Sequence, residues 1–320
     1  MKLVRSICRK LTILLVIPAI VPASCGRSHK TEIIIFHAGS LSVPLKEISV
    51  EYMDMNPGVD IKLEGAGSVA CARKITELGK PCDIMASADH KVIEKFLMPG
   101  YTDWNIWFAT NELVIACHDK SKYADLISPD NWYDILARKD VVYGRSDPDA
   151  DPCGYRTVMM FKLAAVCYQQ DSLAEILTAK DLNMVRPKEV DLVALMEAKA
   201  LDYIVQYKSV CEQHGLDYIS LQPEINLSDP SFEDNYNSVS VDITGERPGE
   251  TMPIKGSSMI YGITLLNEAP NREAAVDFLY YFLGEKGRTV LRENGQSPLN
   301  LHLEGPATNM PAKLREYFNR

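Results

Sequence analysis

Short runs of apolar and β-branched residues recur along the chain, with stretches of helical period between them, and that alternation predicts an α/β protein. Runs at 32–36, 60–63, 83–86, 112–117, 141–143, 203–207 and 254–266 read as strands. Helical periodicity falls at 43–56, 69–78, 90–96, 157–169, 190–200 and 272–283. In the fifth of these, Leu192, Val193, Met196 and Ala200 share one face while Asp191 and Lys199 lie elsewhere. Strands separated by helices imply mostly parallel sheets with helices on their faces. The stretch 223–250, rich in Asn, Asp, Ser, Gly and Pro, reads as loop and hairpin with a strand at 238–243.

A chain of 320 residues exceeds one typical core, so two lobes are expected. The pattern assigns residues 31–115 and 260–320 to one lobe and 116–259 to the other. The chain is expected to cross near 112–117 and to return near 261–265. Ligands of open α/β sheets bind beyond the carboxyl ends of strands, which places a cleft between the lobes.

The first 24 residues have the build of an export signal, with Lys2, Arg5, Arg9 and Lys10 ahead of an apolar core at 11–21 too short to span a bilayer comfortably. Pro22-Ala23-Ser24-Cys25 sets small residues before a cysteine, as at a lipoprotein cleavage site that leaves Cys25 lipidated at the new N-terminus. Ordinary cleavage and an uncleaved anchor are the alternatives. Losing four cations takes the formal net charge from −9 to −13. So acidic a chain without basic stripes is not built for nucleic acid or an anionic membrane, and any anion it holds must be met by local dipoles. Cys71, Cys82, Cys117, Cys153, Cys167 and Cys211 show no metal-type spacing and read as buried or free thiols, with one or two disulfides left open. The histidines are too scattered to form a metal cluster.

Four strand-to-helix junctions carry the candidate chemistry. His37-Ala38-Gly39-Ser40-Leu41 and Gly65-Ala66-Gly67-Ser68-Val69 each set a glycine and a hydroxyl beside the free amides of a coming helix, where the dipole favours an anion. A plain N-cap is the alternative use of Ser40 and Ser68. Neither junction matches GxGxxG, a Walker loop or GxSxG. In the third, Asp151 is an N-cap and Pro152 the first helical residue, followed by Cys153, Gly154, Tyr155, Arg156 and Thr157. The fourth is Pro187-Lys188-Glu189, with Glu189 at a helix start, and Tyr207 ends the strand that follows.

These segments resemble the molybdate/tungstate-binding proteins of ABC importers, in their tungstate-type branch. The resemblance spans nearly the whole chain after the leader. It is carried by His-Ala-Gly-Ser-Leu-Ser-Val-Pro at 37–44, Ala-Gly-Ser-Val-Ala-Cys at 66–71, Lys-Ile at 74–75, Asp-Ile-Met-Ala-Ser-Ala-Asp at 83–89, Asp-Pro-Cys-Gly-Tyr-Arg-Thr at 151–157 and Tyr-Lys-Ser-Val at 207–210. The resemblance implies a two-lobed periplasmic binding protein of type II, with no cofactor and no catalytic activity. Its ligand set here would be Ser40 with the Leu41 amide, Ser68, Asp151 with the Pro152 and Cys153 backbone, Glu189 and Tyr207. Asp151 and Glu189 would reach the tungsten or molybdenum directly, with Glu197 the alternative to Glu189. The resemblance further implies an extracytoplasmic monomer that closes on the oxyanion and docks on a membrane permease.

Two rival readings are a binder of another tetrahedral anion such as sulfate or phosphate, and an exported hydrolase using Ser40 or Ser68 with His37 as base. Arg73 and Arg156 lie near the anion turns, with orienting loops or pairing with carboxylates as their expected work.

Overall fold

Among the described residues thirteen strands carry the architecture: β1 (Thr31–Ala38), β2 (Val59–Ala66), β3 (Ile84–Ser87), β4 (Asn105–Thr110), β5 (Leu113–Cys117), β6 (Tyr143–Ser146), β7 (Val185–Arg186), β8 (Tyr203–Tyr207), β9 (Asp217–Ser220), β10 (Ser240–Thr244), β11 (Thr251–Lys255), β12 (Ile260–Leu265) and β13 (Ser297–Glu304). The computed structural model describes residues 30–187, 189–244 and 251–318. The leader, Cys25, Lys188 and the tip of the hairpin lie outside the described residues.

A six-stranded sheet runs in the order β13-β4-β12-β3-β1-β2, and a five-stranded sheet in the order β7-β6-β8-β5-β9. Strands β10 and β11 form a separate antiparallel hairpin. The chain therefore folds as two α/β lobes. Each has its own core: Ile33, Ile35, Leu45, Ile48, Phe278 and Phe282 in the first, Trp132, Tyr143, Phe161 and Tyr203 in the second. Side chains of this size, fully buried, contribute about 1.5–3 kcal/mol each.

The sheets are mixed, where a mostly parallel pairing was expected. β1 pairs parallel with β2 and β3, and β6 parallel with β7 and β8. β12 lies antiparallel to β3 and β4, and β5 antiparallel to β8 and β9. The antiparallel strands include those that carry the chain out of one lobe and back, and such strands need no helical crossover to reach their neighbours. The sheet change comes at Asn111–Glu112, the dipeptide that directly follows β4 and precedes β5. A boundary at 115/116 falls inside β5. β4 and β5 are both apolar, so only that polar dipeptide marks the passage.

The run at 254–266 is two strands, β11 and β12, split by Gly256–Met259. The helix that the Asp151-Pro152 signal starts and the periodicity at 157–169 continues runs from Pro152 to Cys167, with Asp151 as its N-cap. β4, β9 and β13 and the helices Lys208–His214 and Glu285–Glu293 were not expected. All six described cysteines are free, and no disulfide forms among the described residues. No described helix is long and apolar enough to cross a membrane.

Candidate anion-binding site

A cavity of about 540 Å³ lies between the lobes, walled by Gly39, Ser40, Gly67 and Ser68 from the first and by Asp151, Pro152, Arg156, Glu189 and Tyr207 from the second. Helices Ser42–Met55, Ser68–Thr76, Pro152–Cys167 and Glu189–Glu197 all begin at or next to this wall. The dipoles of these helix starts favour an anion in an otherwise acidic protein.

Neither serine caps a helix. The caps of Ser42–Met55 and Ser68–Thr76 are Leu41 and Gly67, without side-chain bonds. Ser40 Oγ accepts from the Tyr261 hydroxyl at 3.0 Å, and Gln296 Nε2 donates to the Ser40 carbonyl at 3.0 Å. Ser68 Oγ accepts the Ala88 amide at 3.1 Å. Gly39 and Gly67 both face the cavity, and a Cβ on either would meet nothing within 4 Å.

Asp151 serves two helices. Its Oδ1 accepts the Cys153 amide at 2.8 Å, and its Oδ2 accepts the Glu189 amide at 2.6 Å. The Cys153 amide is thereby committed to Asp151 rather than free for an anion. The Cys153 side chain is fully buried behind the wall, and burial pushes its thiol well up. Gln206, fully buried, joins the remaining pieces: its Nε2 donates to the Glu189 carbonyl at 3.0 Å and its Oε1 accepts the Tyr207 amide at 2.8 Å.

The Glu189 carboxyl is half-buried. Burial, then its hydrogen bond with Asp151 and the charge there, push it up to about 8. The carboxyl therefore holds its proton more tightly than an exposed glutamate does. Glu197 sits at the far end of the same helix and pairs with His214 at 3.6 Å, away from the cavity. Tyr207 is buried and accepts from Arg156 Nη1 at 2.9 Å. Pro152 is exposed on the wall. Leu41 lies in the core behind its turn, contributing no side chain to the cavity.

Arg156 is the cation of the wall, and its guanidinium lies 5.8 Å from the rings of Tyr155 and Tyr207. Arg73 instead pairs with Glu77 on the surface at 3.4 Å. Asp89, Asn111 and Tyr261 also line the cavity and were not anticipated. Asp89 ends the Ser-Ala-Asp motif at 87–89, whereas Asn111 is signalled only by the polar break between two apolar strands. His37 is buried, which lowers its pKa, and its Nδ1 lies 2.8 Å from the Ala38 carbonyl. Among the described residues neither candidate serine bonds a histidine: Ser68 meets the Ala88 amide and Ser40 the Tyr261 hydroxyl.

Residues 33–296 match the bacterial extracellular solute-binding protein family. The chain belongs to that family. This solute-binding protein is 47% identical over 293 residues to the molybdate/tungstate-binding protein WtpA of Pyrococcus abyssi, covering 83% of this chain and 84% of the relative. It is 45% identical over 299 residues to WtpA of Thermococcus kodakarensis, covering 85% and 83%. In fold it is similar to the periplasmic molybdate-binding protein of Azotobacter vinelandii (TM-score 0.53, 14% identity, 82% and 98% covered). It is likewise similar to the sulfate-binding protein SubI of Mycobacterium tuberculosis (TM-score 0.55, 11% identity, 90% and 91% covered).

Proposed function

We propose that this protein captures tungstate or molybdate outside the cytoplasmic membrane and hands it, chemically unchanged, to the permease of an ABC importer. The observation that carries this reading is the meeting of two carboxyls, Asp151 and Glu189, with Ser40, Ser68 and Tyr207 at one cavity ringed by helix starts. Two carboxylates beside a dianion would repel it if they faced only its oxygens. Hexavalent tungsten or molybdenum is a hard Lewis acid that accepts further oxygen ligands, which sulfur in sulfate and phosphorus in phosphate do not. Asp151 and Glu189 then bind the metal centre of the cargo while the hydroxyls and amides hold its oxo groups. WtpA relatives at 45–47% identity support the same ligand class.

The first lobe presents Ser40 and Ser68, and the second closes over them with Asp151, Glu189 and Tyr207. Hinge motion falls where the chain changes sheets, at Asn111–Glu112 and at Gly256–Met259. The protein works as a monomer, exported by its leader and held at the outer membrane face by a lipid on Cys25. Titration calorimetry with tungstate, molybdate, sulfate and phosphate tests the assignment. Tight binding of the first two alone is expected, and equal or tighter binding of sulfate or phosphate would overturn it.

A further inference from the structure

We propose that Asn111 and Tyr261 are positioning residues that fix the direction of the Ser40 hydroxyl, so that its proton always points to the bound anion. The inference rests on the oxyanion-binding reading of the cavity, though not on which oxyanion it takes.

Asn111 lies on the passage between the lobes and is buried. Its amide is fully used. Oδ1 accepts the backbone amides of Glu112 at 3.0 Å and Ser209 at 3.4 Å, and Nδ2 donates to Ser209 Oγ at 2.8 Å and to the Tyr261 hydroxyl at 3.0 Å. Backbone N–H groups can only donate, so the oxygen of the side-chain amide must face them and the nitrogen must face Tyr261. Tyr261 also bonds the Ser209 hydroxyl, whose oxygen Asn111 already occupies and whose proton therefore turns to the phenol oxygen, so Tyr261 passes its own proton to Ser40 Oγ at 3.0 Å. Ser40 has one proton left and an acceptor position already filled. That proton is available only to something in the cavity.

The arrangement recurs at the other hydroxyls. The Ala88 amide donates to Ser68 Oγ and Arg156 donates to Tyr207, so each of the three hydroxyls has its oxygen occupied and its proton free. Those two have donors that cannot reverse. The Ser40 branch alone runs through two reversible groups, a phenol and a side-chain amide, and its polarity is set at the hinge. Hydroxyls locked as donors favour an acceptor-only ligand and need no reorientation when it arrives.

The test is a double-mutant cycle of Tyr261→Phe and Ser40→Ala, read by calorimetric Kd for tungstate, or for sulfate should the unaltered protein prefer it. Tyr261→Phe removes one oxygen. With Ser40 present it should weaken binding about tenfold, the value of one hydrogen bond to a charged group. In the Ser40→Ala background the same change should alter Kd less than about twofold, because the residue acts through Ser40. Asn111→Asp keeps the acceptor for the backbone amides and replaces the donor with a second acceptor, which turns Tyr261 away from Ser40. It should weaken binding more than Tyr261→Phe, and the excess that survives Ser40→Ala measures the added charge alone. Equal loss from Tyr261→Phe in both backgrounds, or no loss in either, would overturn the proposal. A preference for sulfate would overturn the tungstate assignment and leave the cycle to be read on sulfate.

Discussion

The Glu189 amide donates to Asp151 Oδ2 at 2.6 Å while the Cys153 amide donates to Oδ1 of the same carboxylate at 2.8 Å, so one side chain serves the helix start beside it and another 38 residues further along the chain. The cap of the long helix Pro152–Cys167 is also the clamp that sets the start of Glu189–Glu197 beside it. Asp151→Ala leaves two buried amides unpaired, and the ligand-free protein should lose about 1–3 kcal/mol in denaturant unfolding. Asp151→Asn retains an oxygen for one amide and should lose less. Both should lower tungstate affinity by on the order of a hundredfold, the scale of removing a buried charged partner. Normal affinity with reduced stability would make Asp151 a cap and nothing more.

The position of Glu189 between burial and the Asp151 charge gives a pH dependence of definite sign. Its carboxyl titrates near 8 in the fold against 4.5 when unperturbed. Between those values the folded protein holds a proton that the unfolded chain has released, so stability falls as pH rises. The contribution is complete below about pH 4.5 and gone above about 8, with a slope of at most about 1.4 kcal/mol per pH unit between. Glu189→Gln should flatten that slope in ligand-free unfolding curves taken from pH 5 to pH 8.

Ligation by the Glu189 carboxylate requires that proton to leave. Tungstate binding at pH 6.5 should therefore release up to one proton, visible as a calorimetric heat that depends on the ionisation enthalpy of the buffer. Glu189→Gln should abolish the release. If the unaltered protein binds without any proton release at that pH, the carboxyl stays protonated and donates to an oxo group, and Glu189 is not a metal ligand.

Gly67 caps the helix Ser68–Thr76 at φ −60° and ψ 142°, a conformation any residue adopts, and a Cβ there would touch nothing. A glycine held in ordinary backbone weakens the fold through the entropy of the unfolded chain. Its empty volume faces the cavity, which is where the missing side chain matters. Gly67→Ala should leave the stability of the ligand-free protein within about 0.5 kcal/mol, because the entropy gained against the unfolded chain is offset by alanine's poor standing at an N-cap, and Gly67→Val should block oxyanion binding while leaving the fold intact. A Gly67→Val protein that binds normally would place the ligand elsewhere.

Much of the site was legible because its parts sit at strand-to-helix junctions, where residue types have restricted uses. Asp151-Pro152 marks a helix start on local chemistry alone, and Ser40 and Ser68 mark theirs. What local chemistry could not supply was the partner of each group. Ser40 and Ser68 look like caps in sequence, yet their hydroxyls meet Tyr261 and Ala88, 221 and 20 residues away. Asn111 and Gln206 join elements that only the folded sheets bring together, and nothing in their neighbours along the chain distinguishes them. The strands divide differently. β8, Tyr203–Tyr207, has a clear apolar pattern and matched its expected bounds, whereas β13, Ser297–Glu304, was not expected although Leu299, Leu301 and Leu303 alternate with Asn300, His302 and Glu304, the period-2 pattern of a half-buried strand at a sheet edge.

Gly154 is the residue on which the whole carboxylate wall leans. A Cβ added there would lie 2.4 Å from both the carbonyl carbon and the oxygen of Asp147 and 2.6 Å from Pro148 N, all backbone atoms of the loop that ends β6. The same loop feeds Asp151, whose amide donates to the Asp147 carbonyl at 2.9 Å. Backbone cannot step aside as a side-chain tip can, so Gly154→Ala must push the loop and the first turn of the helix apart. The expected cost is on the order of 3 kcal/mol in unfolding free energy, with the Asp151 carboxylate drawn off the Glu189 amide. Gly144→Ala supplies the control, since the obstructing atoms there at 2.7 and 2.8 Å are the side-chain ends of Leu201 and Leu192. That variant should lose stability and keep affinity, whereas Gly154→Ala should lose both. Comparable affinities in the two proteins would mean that the loop–helix contact does not hold Asp151 in place.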